Sequence, residues 1–347
     1  MRILIVTDAW SPQINGVVVT LTNTIAELEK AGHVVSVISP DGFRTVPCPS
    51  YPEIRLALWP GRGVAQRIEA FTPDAIHIAT EGPLGIAARR YCVDRNRPFT
   101  TAYHTQFPEY VHARTRLPVA VTYAWLRWFH RPAKAVLVGT PDIHRRLARR
   151  GFANLEPWSR GVDTQLFAPG ARDEAPDLRP IFLFVGRVAV EKNIEAFLRL
   201  DLPGTRWIVG DGPARADLQR RFPGARFHGK QIGENLAWFY RHADVFVFPS
   251  RTDTFGLVLI EALATGTPVA AYPVSGPIDV IKDPAVGVLS EDLRAAALAA
   301  LTLDRAAARQ YALGFSWAAA TRQFESSLHP THPDAWRDGS GACVRPR

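Results

Sequence analysis

The chain is poor in sulfur: it has three cysteines, Cys48, Cys92 and Cys343, and one methionine in 347 residues. An odd cysteine count without a CxxC pair excludes a disulfide framework and a cysteine-built zinc site. Long apolar runs are absent as well, and none reaches the ~20 residues that a bilayer span needs. The apolar start Ile3-Leu4-Ile5-Val6 ends at Thr7-Asp8, too early for a secretory leader, and reads as a first buried strand of a cytoplasmic protein. Lysine is scarce, 5 residues against 36 arginines. There is no Walker A, GxSxG or HExxH motif and no cluster with metal-ligand spacing, so the familiar P-loop, serine-hydrolase and zincin chemistries are excluded.

What is present is a globular composition. Hydrophobic residues make up 47% of the chain, enough for a packed core, and the length suits two domains of ordinary size. The net charge of +8 is unevenly spread: residues 1–170 hold 20 Lys+Arg and 13 Asp+Glu, the remainder 21 and 20. That asymmetry points to an anionic partner of the first half (a membrane surface, nucleic acid or an acidic substrate) or to a proteome that is arginine-rich throughout.

Buried-strand patterns at 3–6, 34–39, 74–78, 99–103 and 135–139 alternate with helical patterns at 20–31, 82–96 and 142–150. A second series starts at Pro180, with strands at 181–185, 206–209, 226–228, 245–248 and 268–271. Helical patterns at 193–200, 215–222 and 234–242, and one containing 261–265, lie between them. Near-continuous apolar strands alternating with helices predict parallel, doubly wound sheets. The expected divisions are a first domain over 1–165, a second over 166–315, a helix over 316–328 crossing back to the first, and a disordered tail over 329–347.

The richest stretch is Ser250-Arg251-Thr252-Asp253-Thr254-Phe255-Gly256-Leu257, which follows a strand and leads into the helix bearing Glu261. A strand, a polar turn and an apolar helix aim backbone N–H groups, here of Phe255, Gly256 and Leu257, at an anion. Asp253 and Glu261 flank that helix start, and acids beside an anion site suit the hydroxyls of a sugar or ribose. Arg187 and Lys192, five apart after another strand, either converge on a pyrophosphate or are solvated surface charges.

In the first half, the loop Thr7–Val17 carries Asp8, Asn15 and Gly16. Gly16 lets a backbone N–H approach a diphosphate or an acceptor, although a plain strand-to-helix loop looks the same. His104 either hydrogen-bonds a sugar hydroxyl or reacting oxygen, or caps and packs. The stretch 115–134 interleaves Tyr123, Trp125, Trp128 and Phe129 with Arg116, Arg127, Arg131 and Lys134, with Arg114 just before it. It suits a headgroup-level membrane interface, a nucleic-acid contact, or a long, partly buried helix with snorkelling arginines.

Taken together these residues resemble the retaining GT-B glycosyltransferases of family 4, over Met1 to about Leu328. Asp253–Glu261 resembles that family's E-x7-E motif with Asp in the first place. Gly186-Arg187 with Lys192 is similar to its GR…EK segment, Gly210-Asp211-Gly212-Pro213 to its G-x-G-P turn, and Arg160-Gly161-Val162-Asp163 to its interdomain segment. The first loop and His104-Thr105-Gln106-Phe107-Pro108-Glu109-Tyr110 are similar to a narrower group of diacylglycerol glycosyltransferases, sulfoquinovosyl transferases and lipid α-mannosyltransferases.

The resemblance implies an α/β GT-B fold, two Rossmann-like domains with parallel sheets facing an interdomain cleft. The activity implied is retaining transfer from a nucleotide diphosphate sugar, UDP-linked in preference to GDP-linked, to a lipid such as diacylglycerol. Arg187 and Lys192 would hold the diphosphate, Glu261 the ribose and Asp253 the sugar, with Phe255 to Leu257 supplying main-chain N–H groups and Thr254 also at the donor. Gly16 and His104 would line the first domain's side; Asp8, Asn15, Tyr123, Trp125, Arg127, Trp128 and Arg131 would serve the acceptor or membrane. His104, Asp253, Arg187 and Lys192 are the expected catalytic set, with no cofactor, no metal and no nucleic-acid partner. The expected location is the inner face of the cell membrane, held peripherally on an anionic surface. Two other readings stand beside it: a family 4 transferase with a soluble acceptor such as a sugar phosphate or inositol, and a non-catalytic nucleotide or nucleic-acid binding module.

Overall fold

Two six-stranded parallel sheets organise the protein. The computed structural model describes residues 1–331 except Ile14, Pro49, Ser50 and 173–176; the side chains of 51–53, 110 and 112–114 are also outside the description. The chain divides into one compact unit of Met1–Ser159 joined by the segment from Trp317 onward, and a second unit of Arg160–Ser316.

The first unit contains β1 (Arg2–Val6), α1 (Gly16–Lys30), β2 (Val34–Ile38), β3 (Thr45–Cys48), β4 (Tyr51–Ala57), α2 (Gly61–Phe71) and β5 (Ala75–Ile78). It continues through α3 (Pro83–Asp94), β6 (Thr100–Tyr103), α4 (Phe107–Thr115), α5 (Val119–His130), β7 (Ala135–Val138), α6 (Pro141–Arg149) and β8 (Leu155–Pro157). Its sheet runs β2-β1-β5-β6-β7-β8, and β3 and β4 form a separate antiparallel pair. Alternate residues of each strand point to opposite faces. Leu4, Val6, Ile76 and Ile78 therefore pack with Val64, Ile68, Leu84 and Ala88 of α2 and α3. Ile3, Ile5, Ala75 and Leu137 pack with Leu21 and Leu28 of α1 on the other face.

The second unit contains β9 (Ile181–Val185), a 3-10 turn (Val190–Lys192), α7 (Ile194–Leu198), β10 (Thr205–Val209), α8 (Arg215–Arg221), β11 (Arg226–Gly229) and α9 (Gly233–His242). β12 (Val245–Phe248), α10 (Leu257–Ala264), β13 (Val269–Ala271), α11 (Pro277–Val280), β14 (Gly287–Leu289), α12 (Leu293–Ala300) and α13 (Arg305–Ala312) complete it. The order β11-β10-β9-β12-β13-β14 is the 3-2-1-4-5-6 order of a Rossmann sheet. Ile181, Leu183, Phe246 and Phe248 face α9, α10 and α13, while Phe182, Phe184, Val245 and Val247 face α7, α8 and α12. Strands buried on both faces need the unbroken apolar runs seen in the sequence.

The last helix, α14 (Trp317–Ser327), belongs to the first unit. Phe324 is fully buried beside Trp158, and Gln323 Oε1 accepts from the Ser159 N–H at 2.7 Å. A disordered tail was expected from 329, but Pro330 bridges Ala75 and the Thr331 N–H donates to Asp74 O. Residues 332–347 lie outside the described residues. The stretch 115–134, read as a membrane interface or as a long, partly buried helix, holds a single helix, α5, which begins after Pro118, while α4 ends at Thr115.

Candidate active site

In a doubly wound sheet a ligand crevice opens at the carboxyl ends of the strands where the order reverses. In the second unit that point lies between β9 and β12, which pair directly. Gly186, Arg187 and the 3-10 turn follow β9, and residues 249–256 follow β12, so both sequence-derived loops leave from neighbouring strand ends. The structure joins them: Lys192 Nζ lies 2.5 Å from Asp253 Oδ1, with both side chains less than one-fifth exposed. Asn193 Nδ2 donates to Pro249 O at 3.1 Å, and Thr252 Oγ1 to Glu191 O at 3.4 Å. Asn193 takes a left-handed conformation, φ 53°, that turns the chain into α7.

The Gly186-Arg187 loop is braced by the Gly210-Asp211-Gly212 turn. The Gly186 N–H donates to Val209 O at 3.0 Å and the Val188 N–H to Asp211 O at 2.9 Å. Gly210 has φ +137°, and a Cβ there would sit 1.8 Å from Gly186 O. Only glycine lets the two backbones approach this closely.

Helix α10 follows Gly256, its N-cap at φ +85°, with no side-chain cap and no acid in its first turn. Its first N–H groups, unlike those of a capped helix, keep their capacity for an anion. Phe255 is buried against Phe315, so its side chain packs while its backbone lies in the loop. Leu257 packs partly on the core. Four residues on, Glu261 receives a hydrogen bond from Tyr240 Oη at 2.9 Å. Burial pushes the Glu261 carboxyl up to about 7, against the Tyr240 bond, which favours the carboxylate. Tyr240 is fully buried and its phenol is raised well above 10, first by burial and then by Glu261, so it remains a donor. Sequence reasoning missed Tyr240, because it lies on α9, 21 residues before its partner.

The first unit has its own reversal, between β1 and β5. Asp8 follows β1 there and is 5% exposed. Its Oδ1 accepts from Leu84 N at 2.9 Å, and its Oδ2 accepts from Thr80 Oγ1 at 2.9 Å and from Gly85 N at 3.3 Å. Burial raises its pKa to about 6 despite these bonds. A Cβ on Gly82 would fall 2.4 Å from the Asp8 carboxyl carbon. Asp8, expected on the acceptor side, is thus the cap of α3, with both carboxylate oxygens engaged by the fold. Asn15 is likewise a cap: its Oδ1 accepts from the N–H groups of Val17 and Val18, and Gly16 opens α1 instead of lying in the preceding loop. His104 follows β6, and its ring meets Trp158 edge-on at 5.4 Å.

The aromatic and basic residues of α5 separate by face. Tyr123 is buried and donates to Glu109 Oε1 at 2.8 Å, with Arg150 stacked 3.8 Å over its ring. Tyr123 therefore does not belong to an outer surface; it shares the inner face with Leu126 and Phe129. Trp125 is half-buried against Phe129, and Arg127 reaches Arg150 O. Val121 and Trp128, 54% and 48% exposed, stand on the outer face, with Arg89 stacked on Trp128 at 3.9 Å and Arg131 exposed beyond. No helix among the described residues is long and apolar enough to cross a membrane.

Comparison with known proteins agrees with this architecture. Residues 14–166 match the model of Glycosyltransferase Family 4, and residues 179–305 that of Glycosyl transferases group 1. The chain is similar to a GDP-mannose-dependent alpha-mannosyltransferase of Mycobacterium tuberculosis, 35% identical over 91% of this chain and 93% of that protein. It is also similar to an alpha-monoglucosyldiacylglycerol synthase of Streptococcus pneumoniae, 28% identical over 87% of this chain and 78% of the relative. Among solved structures, sucrose-phosphate synthase from Thermosynechococcus elongatus superposes with a TM-score of 0.73 at 22% identity, covering 93% of this chain and 97% of that one. The chain belongs to glycosyltransferase family 4 and is a glycosyltransferase of the GT-B fold.

Proposed function

We propose that the enzyme transfers a hexosyl unit, with retained anomeric configuration, from a nucleotide diphosphate sugar to a lipid acceptor. The observation that carries the reading is the joining of Lys192 to Asp253 at the reversal point of the second sheet, beside an uncapped helix that bears Glu261. The second unit serves the donor. Arg187 and Lys192 hold the diphosphate, one as a fork and one as a point charge. Glu261 accepts from the ribose hydroxyls, and Asp253 meets the sugar. As the glycosidic bond lengthens, charge grows on the leaving diphosphate, where fixed cations and the α10 N–H groups of Gly256 and Leu257 stabilise it without reorganising. In this reading neither acid is the nucleophile; the leaving phosphate assists attack from the same face.

The first unit serves the acceptor. His104 faces the acceptor hydroxyl. The exposed Val121 and Trp128, with Arg89 and Arg131 around them, contact an anionic lipid surface. The pneumococcal relative's name supports diacylglycerol as acceptor. The mycobacterial relative's name supports GDP-mannose as donor, in place of the UDP-sugar favoured by the sequence alone.

The test is a matched screen of GDP-mannose, UDP-glucose and UDP-galactose with diacylglycerol vesicles or with inositol phosphate, products read by mass spectrometry. Product on lipid alone, with GDP-mannose the best donor, supports the proposal; product on inositol phosphate alone overturns it. Val121→Asp with Trp128→Asp is expected to abolish co-sedimentation with anionic vesicles while turnover of a short-chain diacylglycerol survives.

A further inference from the structure

The second unit carries a pocket at the opposite end of its sheet. Arg179 and Pro180 lead into β9, Asp244 into β12, and Pro268 into β13. All therefore sit at the amino ends of the strands, roughly 15 Å along β9 from the loops described above, at about 3.3 Å a residue. A cavity of about 350 Å³ lies there, lined by these residues with Arg172, Arg305, Leu301 and Leu303.

Three guanidiniums face one carboxylate. Arg172 lies 2.5 Å from Asp244 Oδ1, and Arg179 Nη1 lies 2.8 Å and 3.0 Å from its two oxygens. Asp244 Oδ2 is also occupied by the Ile181 N–H at 2.7 Å. Arg305 bonds only to neutral acceptors among the described residues: Ala243 O, Arg241 O, Thr265 O and Thr267 Oγ1. Carbonyls satisfy hydrogen bonds without cancelling charge, so among the described residues that line the pocket three positive charges face one negative charge. Burial, and then Arg172 and Arg179, bring Arg305 down to about 10, as expected where cations crowd. Arg172 Nε is buried and has no hydrogen-bond partner among the described residues.

We propose that this pocket binds a phosphate dianion, free or as a phosphate monoester, independently of the nucleotide sugar. The planar guanidinium forks match phosphate oxygens, two negative charges balance the excess, and the recess is large enough for the tetrahedral group with a small substituent. The pocket follows from the fold and does not depend on the functional proposal above.

Calorimetric titration of the full chain with inorganic phosphate, against potassium chloride at matched ionic strength, tests it. Saturable binding is expected to persist at saturating GDP and in Lys192→Ala. Arg172→Gln is expected to weaken it about tenfold, the effect of one charge-assisted contact. Asp244→Asn keeps an acceptor for the Ile181 N–H and removes the competing charge, so it is expected to tighten binding. A purely structural ion network would lose stability in both variants without moving phosphate affinity in opposite directions. Absence of saturable binding, equal affinity in wild type and both variants, or displacement by GDP would each overturn the proposal. Phosphatidate vesicles form a second arm: retention sensitive to Arg172→Gln, with no response to inorganic phosphate, refutes a site for the soluble ion.

Discussion

Tyr240→Phe removes one oxygen atom and little else. The side chain is fully buried and its hydroxyl donates to Glu261 at 2.9 Å, so the variant keeps the packing and loses one bond to a charged acceptor. Such bonds contribute about 1.5–3 kcal/mol, and one pKa unit corresponds to about 1.4 kcal/mol. The Glu261 carboxyl, already at about 7 through burial, is therefore expected to rise by about one to two units. The direction of the linkage follows from the raised value. The folded state holds this proton more tightly than the unfolded chain, whose carboxyl titrates near 4.5. Its contribution is therefore fully favourable below 4.5 and is lost as pH climbs through 7, by at most about 3 kcal/mol. Asp8, raised to about 6, adds a loss of the same sign at lower pH, and comparison of wild type with Tyr240→Phe cancels it. Urea unfolding at pH 5, 7 and 9 should show the variant falling further behind between pH 7 and 9. In turnover, the donor KM should rise below about pH 7 in wild type, as the carboxylate becomes a neutral acid. The same inflection should appear about one to two units higher in Tyr240→Phe and vanish in Glu261→Gln. An unmoved inflection in Tyr240→Phe, or a persisting one in Glu261→Gln, would show that this pair does not govern donor binding.

Lys192→Ala should lower kcat/KM by about 10²–10³-fold, the usual loss for one donor to a developing charge, with the circular dichroism spectrum unchanged; a change within twofold would remove Lys192 from the chemistry. Gly210→Ala forces a Cβ to within 1.8 Å of Gly186 O, so the loops must part. A loss of about 2–4 kcal/mol in urea unfolding is expected, with a raised donor KM because Arg187 rides on the displaced loop; wild-type stability would show that the turn can relax freely.

The strands of both sheets were legible where burial on two faces demands unbroken apolar runs, as in Ile181–Val185 and Val245–Phe248. The antiparallel pair β3–β4 was not, because Pro47 and Cys48 break its alternation and Val46 is exposed. β14 is three residues long, too short to hold a period, and α12, rich in alanine, offers little polar contrast. At the site, Arg187, Lys192, Asp253 and Glu261 could be picked out because each follows a strand end or opens a helix. Their partners could not. The Lys192–Asp253 pair spans 61 residues, and the two meet only because β9 and β12 are neighbours in a reversed strand order. Tyr123 was misplaced because residue type was read without helical phase: with Leu126 and Phe129 it falls on the inner face, whereas Val121 and Trp128, seven apart, fall outside.

The placement of Asp8 sets a limit on what the first sheet can hold. Its carboxylate already fills the positive end of α3, which an incoming phosphoryl group would otherwise seek. Two scaffolds of similar winding are thereby given different tastes by one side chain: one stopped by an internal anion, the other left receptive. Exchange of that acid for a neutral residue would be the shortest route to a variant whose first half competes for nucleotide.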